Sequence, residues 1–246
     1  MSAPLQDAGQ SSPDYEVIII GAGVAGIYQL YRLRERGIPT IVVDAAADLG
    51  GTWFHNRYPG CRFDSESYTY GYSFSKELLN EWHWKERFSS QPENLRYLNF
   101  VADKFDLRRD MQFNHKVEAA HFDDANSMWR LKFTNGREMS CRFLITGLGL
   151  LSAPTMPRVP GIERFKGPSF HTYYWPHEGV ELAGKRVAVI GTGATGVQVI
   201  SEIADKVGEL TVFQRRPNWC APLHNRPISE HEMAEIRTRY DDIFEK

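Results

Sequence analysis

Two stretches of the chain share one pattern of apolar and polar positions. The first is YEVIIIGAGVAGIYQLYRLRERGIPTIVVD, from Tyr15 to Asp44. Its run Val17–Ile20 has no polar alternation, as expected of a parallel strand covered on both faces. Gly21-Ala-Gly23-Val-Ala-Gly26 follows, and then apolar residues at helical spacing to about Arg36, with Gly37 as a natural stop. A second buried strand, Thr40–Val43, ends on Asp44. The second stretch is KRVAVIGTGATGVQVISEIADKVGELTVFQRR. There Val187–Ile190 is the strand and Gly191-Thr-Gly193-Ala-Thr-Gly196 the turn. A helix runs to about Ala204, and Leu210–Phe213 is the next strand.

Between the repeats the period changes. Ser90-Gln-Pro-Glu93 has the form of a capping box and precedes the amphipathic segment NLRYLNFVADKFDL. Strand patterns then succeed one another: MQFNHKV, the stretch around Ala120–Phe122, and MWRLKFT. Asn135-Gly136 is a hairpin turn signal leading into EMSCRFLIT, and RFLITG reads as a buried strand returning to the first domain. These elements predict an α/β protein. It has two Rossmann-like dinucleotide-binding units of the three-layer FAD/NAD(P)-binding type, with an antiparallel β-ribbon inserted in the first. The second unit reads as incomplete: it has one strand–helix–strand and then ISEHEMAEIRTRYDDIFEK, an apparent helix reaching Lys246. By motif, residues 1–14 are a loose tail and 15–150 the first domain. Residues 151–180 are a linker and 181–246 the first part of the second domain.

The glycines carry the chemistry. The first of each GxGxxG makes a tight turn, the second lets backbone approach a pyrophosphate, and the third lets helix pack on strand. The helix N-terminus supplies a positive dipole. One GxGxxG is a weak signal; strand, turn, helix and strand in order, twice, is a strong one. The second strands distinguish the sites. Asp44 lies 18 residues after Gly26, where an acid accepts from ribose hydroxyls, which suits FAD or NAD. Arg215 lies 19 residues after Gly196 and is followed by Arg216, with no acid, which suits the 2′-phosphate of NADPH. A nicotinamide nucleotide beside a second dinucleotide implies hydride transfer, with FAD as the natural partner.

Composition narrows the picture by exclusion. At 42% hydrophobic and 24% charged, the 246 residues can bury a core. A net charge of −2 leaves no footprint for nucleic acid, and no apolar run approaches a membrane span. The polar start MSAPLQDAGQSSPDY has no secretory h-region. Cys61, Cys141 and Cys220 are odd in number and far apart, which implies reduced thiols and a cytoplasmic protein without a CxxC redox pair. His55, His83, His115, His121, His177, His224 and His231 show no metal-ligand spacing.

Two segments remain. Asp48–Asp64, DLGGTWFHNRYPGCRFD, combines glycines with Trp53, Tyr58 and Pro59 directly after a nucleotide-binding strand. Phe165–Pro176, FKGPSFHTYYWP, holds five aromatic rings besides His171, where a linker is usually small and polar. With these the chain resembles the Baeyer–Villiger monooxygenases. Phe165, Gly167, His171, Trp175 and Pro176 match the family's FxGxxxHxxxWP fingerprint. Gly51, Trp53, Tyr58, Pro59, Gly60 and Asp64 match its second signature. GLLSAP and FQRR are similar too, and the likeness runs from about Tyr15 onward.

The resemblance implies an FAD- and NADPH-dependent monooxygenase that inserts one atom of O2 into a ketone through a C4a-peroxyflavin, giving an ester or lactone. It implies that Gly21, Gly23, Gly26, Asp44, Gly51, Thr52, Trp53, Asp64, Tyr70 and the backbone near Val117 hold FAD. Gly191, Thr192, Gly193, Ala194, Thr195, Gly196, Arg215 and Arg216 hold NADPH. Asp64 pairs with an arginine that stabilises the oxygenating intermediate, and His171 orients a linker that must support two positions of the nicotinamide domain. Asp44 stands where the family usually has glutamate. Family members are longer, and no residue here matches their catalytic arginine, so the remainder of a monooxygenase chain is expected. Two alternatives stay open: a flavin-containing monooxygenase oxidising nitrogen or sulfur, and a non-catalytic dinucleotide-binding fragment.

Overall fold

The computed structural model describes residues 12–245; most of the tail expected at residues 1–14 lies outside them. In chain order the strands are β1 (Tyr15–Ile20), β2 (Thr40–Val43), β3 (Met111–Gln112), β4 (Val117–Asp123), β5 (Met128–Phe133), β6 (Glu138–Thr146), β7 (Arg186–Ile190) and β8 (Glu209–Phe213). The α-helices are α1 (Val24–Glu35), α2 (Thr52–His55), α3 (Ser67–Tyr70), α4 (Lys76–Glu81), α5 (Gln91–Lys104), α6 (Ala194–Ile203), α7 (Glu230–Thr238) and α8 (Tyr240–Phe244). By contacts the chain divides into two compact units: residues up to Phe54 with Leu98–Ala153, and His55–Tyr97 with Pro154 onward.

The first unit is built on one six-stranded sheet of order β3-β2-β1-β6-β5-β4. β1 runs parallel to both β2 and β6, and β2 parallel to β3. β5 runs antiparallel to β6 and β4. The inserted ribbon is hydrogen-bonded to the parallel strands through β6, which pairs with both β1 and β5. Ile18, Ile41, Val43, Leu131, Phe133, Met139 and Cys141 form one buried cluster, with Val117 and Trp129 packed against it. β1 and β2 match the expected segments to within two residues, and α1 starts three residues earlier than expected, inside the glycine motif at Val24.

Three local expectations need correcting. MQFNHKV is not one strand: Met111–Gln112 pairs with β2, whereas β4 begins only at Val117. Asn114 between them has φ +59°, a left-handed conformation that breaks an extended run. RFLITG is not buried throughout, for Phe143 is 56% exposed. With Val17, Leu33, Ile38, Trp129 and Ile145 it lines an open, mostly apolar hollow. The final helix is two helices, broken at Arg239, where φ −114° and ψ 7° leave helical geometry.

In the second unit the sheet has two strands among the described residues, β7 and β8, paired in parallel from Arg186–Glu209 to Ile190–Phe213. α6 packs against β7, and its Val199 and Ile203 are buried. The remaining helices form a core around Leu78, Trp84, Tyr97, Met233 and Tyr240. Residues 85–88 meet 225–228 through backbone bonds Arg87 N–Arg226 O (2.9 Å) and Ile228 N–Lys85 O (2.8 Å). Glu93 accepts the Lys85 amide at 2.9 Å, and burial raises its carboxyl pKa.

Candidate dinucleotide-binding sites

The first site begins where β1 ends. Gly21 has φ +108°, and its amide donates to Val43 O at 2.8 Å, fixing the turn to the end of β2. A Cβ on Gly26 would fall 1.8 Å from Gly21 O, so only glycine lets α1 start this close to the strand. α1 has Gly23 at its N-cap with no side-chain cap, and a helix N-terminus is a natural cradle for an anion. Gly51 comes against the same turn: a Cβ on it would meet Gly23 Cα at 2.9 Å, and Gly50 N donates to Ala22 O at 3.0 Å. Thr52 and Trp53 open α2 directly after, with Trp53 buried.

Asp44 bends back over this turn. Its Oδ2 accepts from Ala22 N at 2.6 Å and its Oδ1 from Ala46 N at 2.7 Å. A carboxylate offers about four lone-pair positions, so each oxygen keeps capacity for a hydroxyl. The chain entering β4 runs alongside, with Asn114 N on Ala46 O and His115 N on Asp44 O, both 2.8 Å, which brings Val117 to the same end of the sheet.

The second site repeats the geometry. Gly191 has φ +104° and donates to Phe213 O at 2.9 Å, and a Cβ on Gly196 would fall 2.4 Å from Gly191 O. Gly193 is the N-cap of α6, again without a side-chain cap, and no atom lies within 4 Å of a Cβ built on it. Gln214 Nε2 donates to Thr192 Oγ1 at 3.0 Å, and Asn218 Nδ2 to Thr192 O, so the segment after β8 folds back on the turn. Arg215 and Arg216 are exposed beside it.

Asp64 and Tyr70 belong to this second unit. Tyr70 packs on Phe63 at 4.2 Å between ring centroids. Asp64 Oδ1 accepts from Gln198 Nε2 at 3.0 Å. Tyr58, buried between loop and helix, donates from Oη to Gln198 Oε1 at 3.0 Å and also bonds Thr195. Burial raises the Tyr58 hydroxyl pKa and pushes the neighbouring Cys61 thiol up to about 11.

A family model for pyridine nucleotide-disulphide oxidoreductases matches residues 18–245. The chain belongs to that family. Within it, the chain is 49% identical over 240 residues to the 2-oxo-Δ3-4,5,5-trimethylcyclopentenylacetyl-CoA monooxygenase of Pseudomonas putida, covering 95% of this chain and 44% of that protein. It is 47% identical to a Baeyer–Villiger monooxygenase of Pseudooceanicola batsensis, covering 94% and 42%. A phenazine N-monooxygenase of Lysobacter antibioticus is 41% identical, covering 94% and 43%. A crystal structure of OTEMO in complex with FAD and NADP superposes with a TM-score of 0.91 at 49% identity, over 96% of this chain and 45% of that one. The chain thus spans less than half the length of these relatives, corresponds to the N-terminal part of Baeyer–Villiger monooxygenases, and has their fold.

The aromatic segment Phe165–Pro176 is held by local contacts. His171 is the N-cap of a 3-10 turn, Thr172–Tyr174, and its Nδ1 accepts from Tyr173 N at 3.1 Å. That bond requires the neutral tautomer with the proton on Nε2. Tyr173 stacks on His55 at 4.8 Å and 18°, and Phe170 meets Trp175 edge-on at 5.0 Å. The sequence pattern did not single out Gln198. Its one signal is a carboxamide set between Val197 and Val199 in an apolar helix. No helix among the described residues is long and apolar enough to cross a membrane.

Proposed function

We propose that the chain is the dinucleotide-binding part of an FAD- and NADPH-dependent Baeyer–Villiger monooxygenase, which inserts one oxygen atom of O2 into a ketone to give an ester or lactone. The observation that carries this is the duplicated cradle, with Gly26 against Gly21 O and Gly196 against Gly191 O, each beneath an uncapped helix start. Residues 15–150 would be the FAD domain, 151–180 the linker and 181–246 the first part of the NADP domain. The remainder of the protein would cover the apolar faces left open at Ile190, Phe213 and Phe143. Three unpaired thiols and dependence on NADPH suit the cytoplasm.

The residues present fit both nucleotides. At the first turn, Gly21, Gly23, Gly26 and Gly51 bring backbone to the pyrophosphate of FAD. The spare lone pairs of Asp44 take the adenosine ribose, and Thr52, Trp53 and the backbone near Val117 complete the cradle; Tyr70 keeps the FAD role that the family resemblance implies. At the second, Gly191 to Gly196, with Thr192, Gly193, Ala194 and Thr195, hold the pyrophosphate of NADPH. Arg215 and Arg216 pair with its 2′-phosphate by charge-assisted bonds. The bound pair supplies hydride transfer and oxygen activation. Asp64 places a carboxylate from a fixed loop, an electrostatic role whose effect depends on preorganisation. His171 keeps the linker in one local conformation.

The test is anaerobic. The chain is loaded with FAD, NADPH is added and the flavin absorbance is followed. Bleaching is the expected result; flavin that binds and stays oxidised overturns the NADPH assignment. Oxygen and a cyclic ketone are then supplied to the whole protein, with lactone as the expected product. A second reading, N-oxidation of a heteroaromatic ring, is supported by the 41% identity to the phenazine N-monooxygenase. N-oxide in place of lactone would select it.

A further inference from the structure

One side chain of α6 fastens the Tyr58–Asp64 loop. Gln198 Oε1 accepts from Tyr58 Oη at 3.0 Å and from Arg62 N at 3.4 Å. Its Nε2 donates to Arg62 O at 3.1 Å and to Asp64 Oδ1 at 3.0 Å. A carboxamide has two acceptor lone pairs and two donor protons, and all four are used. A flipped amide would set Nε2 against the Arg62 amide and Oε1 against two oxygens, so the network fixes the orientation. Among the described residues Gln198 is the hydrogen-bond partner of the Asp64 carboxylate. Arg62 does not compete for Asp64, because its guanidinium turns to Glu86 and to Phe88 O, both at 3.2 Å.

The backbone supports the same contact. A Cβ on Gly60 would fall 2.5 Å from Gln198 O and 3.0 Å from Glu202 Cβ, so the loop sits on α6 with no room for a side chain between. Tyr58 extends the contact one turn back, to Thr195 beside the second glycine cradle.

We infer that Gln198 is a positioning residue. It sets the Asp64 carboxylate from the helix that follows the nicotinamide-nucleotide turn, and so ties the geometry of that turn to the motif acid. This rests on the proposed monooxygenase reading, in which the second turn holds NADPH and Asp64 acts electrostatically. Gln198 fills this role by donating to Asp64; its bond to Tyr58 anchors the loop.

The whole FAD-loaded protein carrying Gln198→Glu tests this, with Tyr58→Phe as the variant that breaks the anchor and leaves the donor. Gln198→Glu keeps an acceptor toward Tyr58 and the Arg62 amide but sets a carboxylate against Asp64. It is expected to lower kcat about tenfold while KM for NADPH moves less than about threefold; Tyr58→Phe is expected to leave kcat within about threefold of wild type. Thermal unfolding gives a readout apart from activity. Gln198→Glu should lose several degrees of Tm, and adding Asp64→Asn, which restores a donor facing the new carboxylate, should recover about half or more of the loss. Additive Tm losses, or an unchanged kcat in Gln198→Glu, overturn the inference. An inactive wild type overturns the monooxygenase reading and takes the inference with it, and is told apart because it needs no variant.

Discussion

In the first unit β1 lies between two parallel neighbours, and Ile18 and Ile19 are fully buried. In the second, β7 has one neighbour among the described residues, Ile190 is 66% exposed and Phe213 on β8 is 56% exposed. Yet the turns that follow agree. Gly21 and Gly191 have φ of +108° and +104°, and both N-caps are glycines without a side-chain cap. Cradle geometry is therefore local. It is written by three glycines and one strand–helix contact, and it forms whether or not the sheet behind it is covered. What burial changes is the resistance of the cradle to being altered.

The largest expected effect follows from that difference. Gly26→Ala places a methyl 1.8 Å from Gly21 O in a unit whose strand is packed on both sides, so neither partner can retreat. It should cost about 3 kcal/mol or more in denaturant unfolding and release FAD. Gly196→Ala meets Gly191 O at 2.4 Å with an open sheet behind it. Its cost should be smaller, about 1–2 kcal/mol, with FAD retained and NADPH affinity lost. Equal unfolding penalties for the two would break the comparison, because the surroundings would then have no influence on the turn.

The two repeats also differ in the residue that follows the second strand. Asp44 is tied to the turn by two amide bonds, whereas Arg215 and Arg216 stand exposed. Changing either arginine to Ala should lower the preference for NADPH over NADH about tenfold, measured as the ratio of flavin reduction rates at limiting nucleotide. No change in that ratio for either would remove the 2′-phosphate role and leave the second cradle open to NADH.

Much of this was legible in the sequence where one residue type answers one local need. Glycines at fixed spacing announced both turns, Asn135-Gly136 announced the hairpin, and Thr40–Val43 appeared with its own boundaries. Contacts decided by distant chain segments were not legible. Nothing in MQFNHKV shows that Asn114 turns left-handed to reach Ala46 O. Nothing in Asp48–Asp64 shows that its second half rests on α6 through Gly60 and Gln198, 138 positions further along the chain. The hydrogen-bond partner of Asp64 could not be read, because a carboxamide in an apolar helix has many possible partners until the fold selects one.

The smallest expected change in stability is at the linker, and it separates two readings of His171. Its ring nitrogen caps the turn at Thr172–Tyr174, which presents Tyr173 to His55. His171→Ala removes the cap and should cost about 1 kcal/mol in this half-buried turn. If the linker must hold the nicotinamide domain in register with the flavin, the same change should lower product formed per NADPH consumed far more than it lowers stability. His171→Asn distinguishes cap from ring, since a carboxamide oxygen accepts the Tyr173 amide as well as Nδ1 does. Coupling restored by Asn would mean that the turn alone carries the function. Coupling still lost would mean that the imidazole has a second partner in another stage of the cycle. Coupling unchanged in both variants would leave His171 as a turn residue and nothing more.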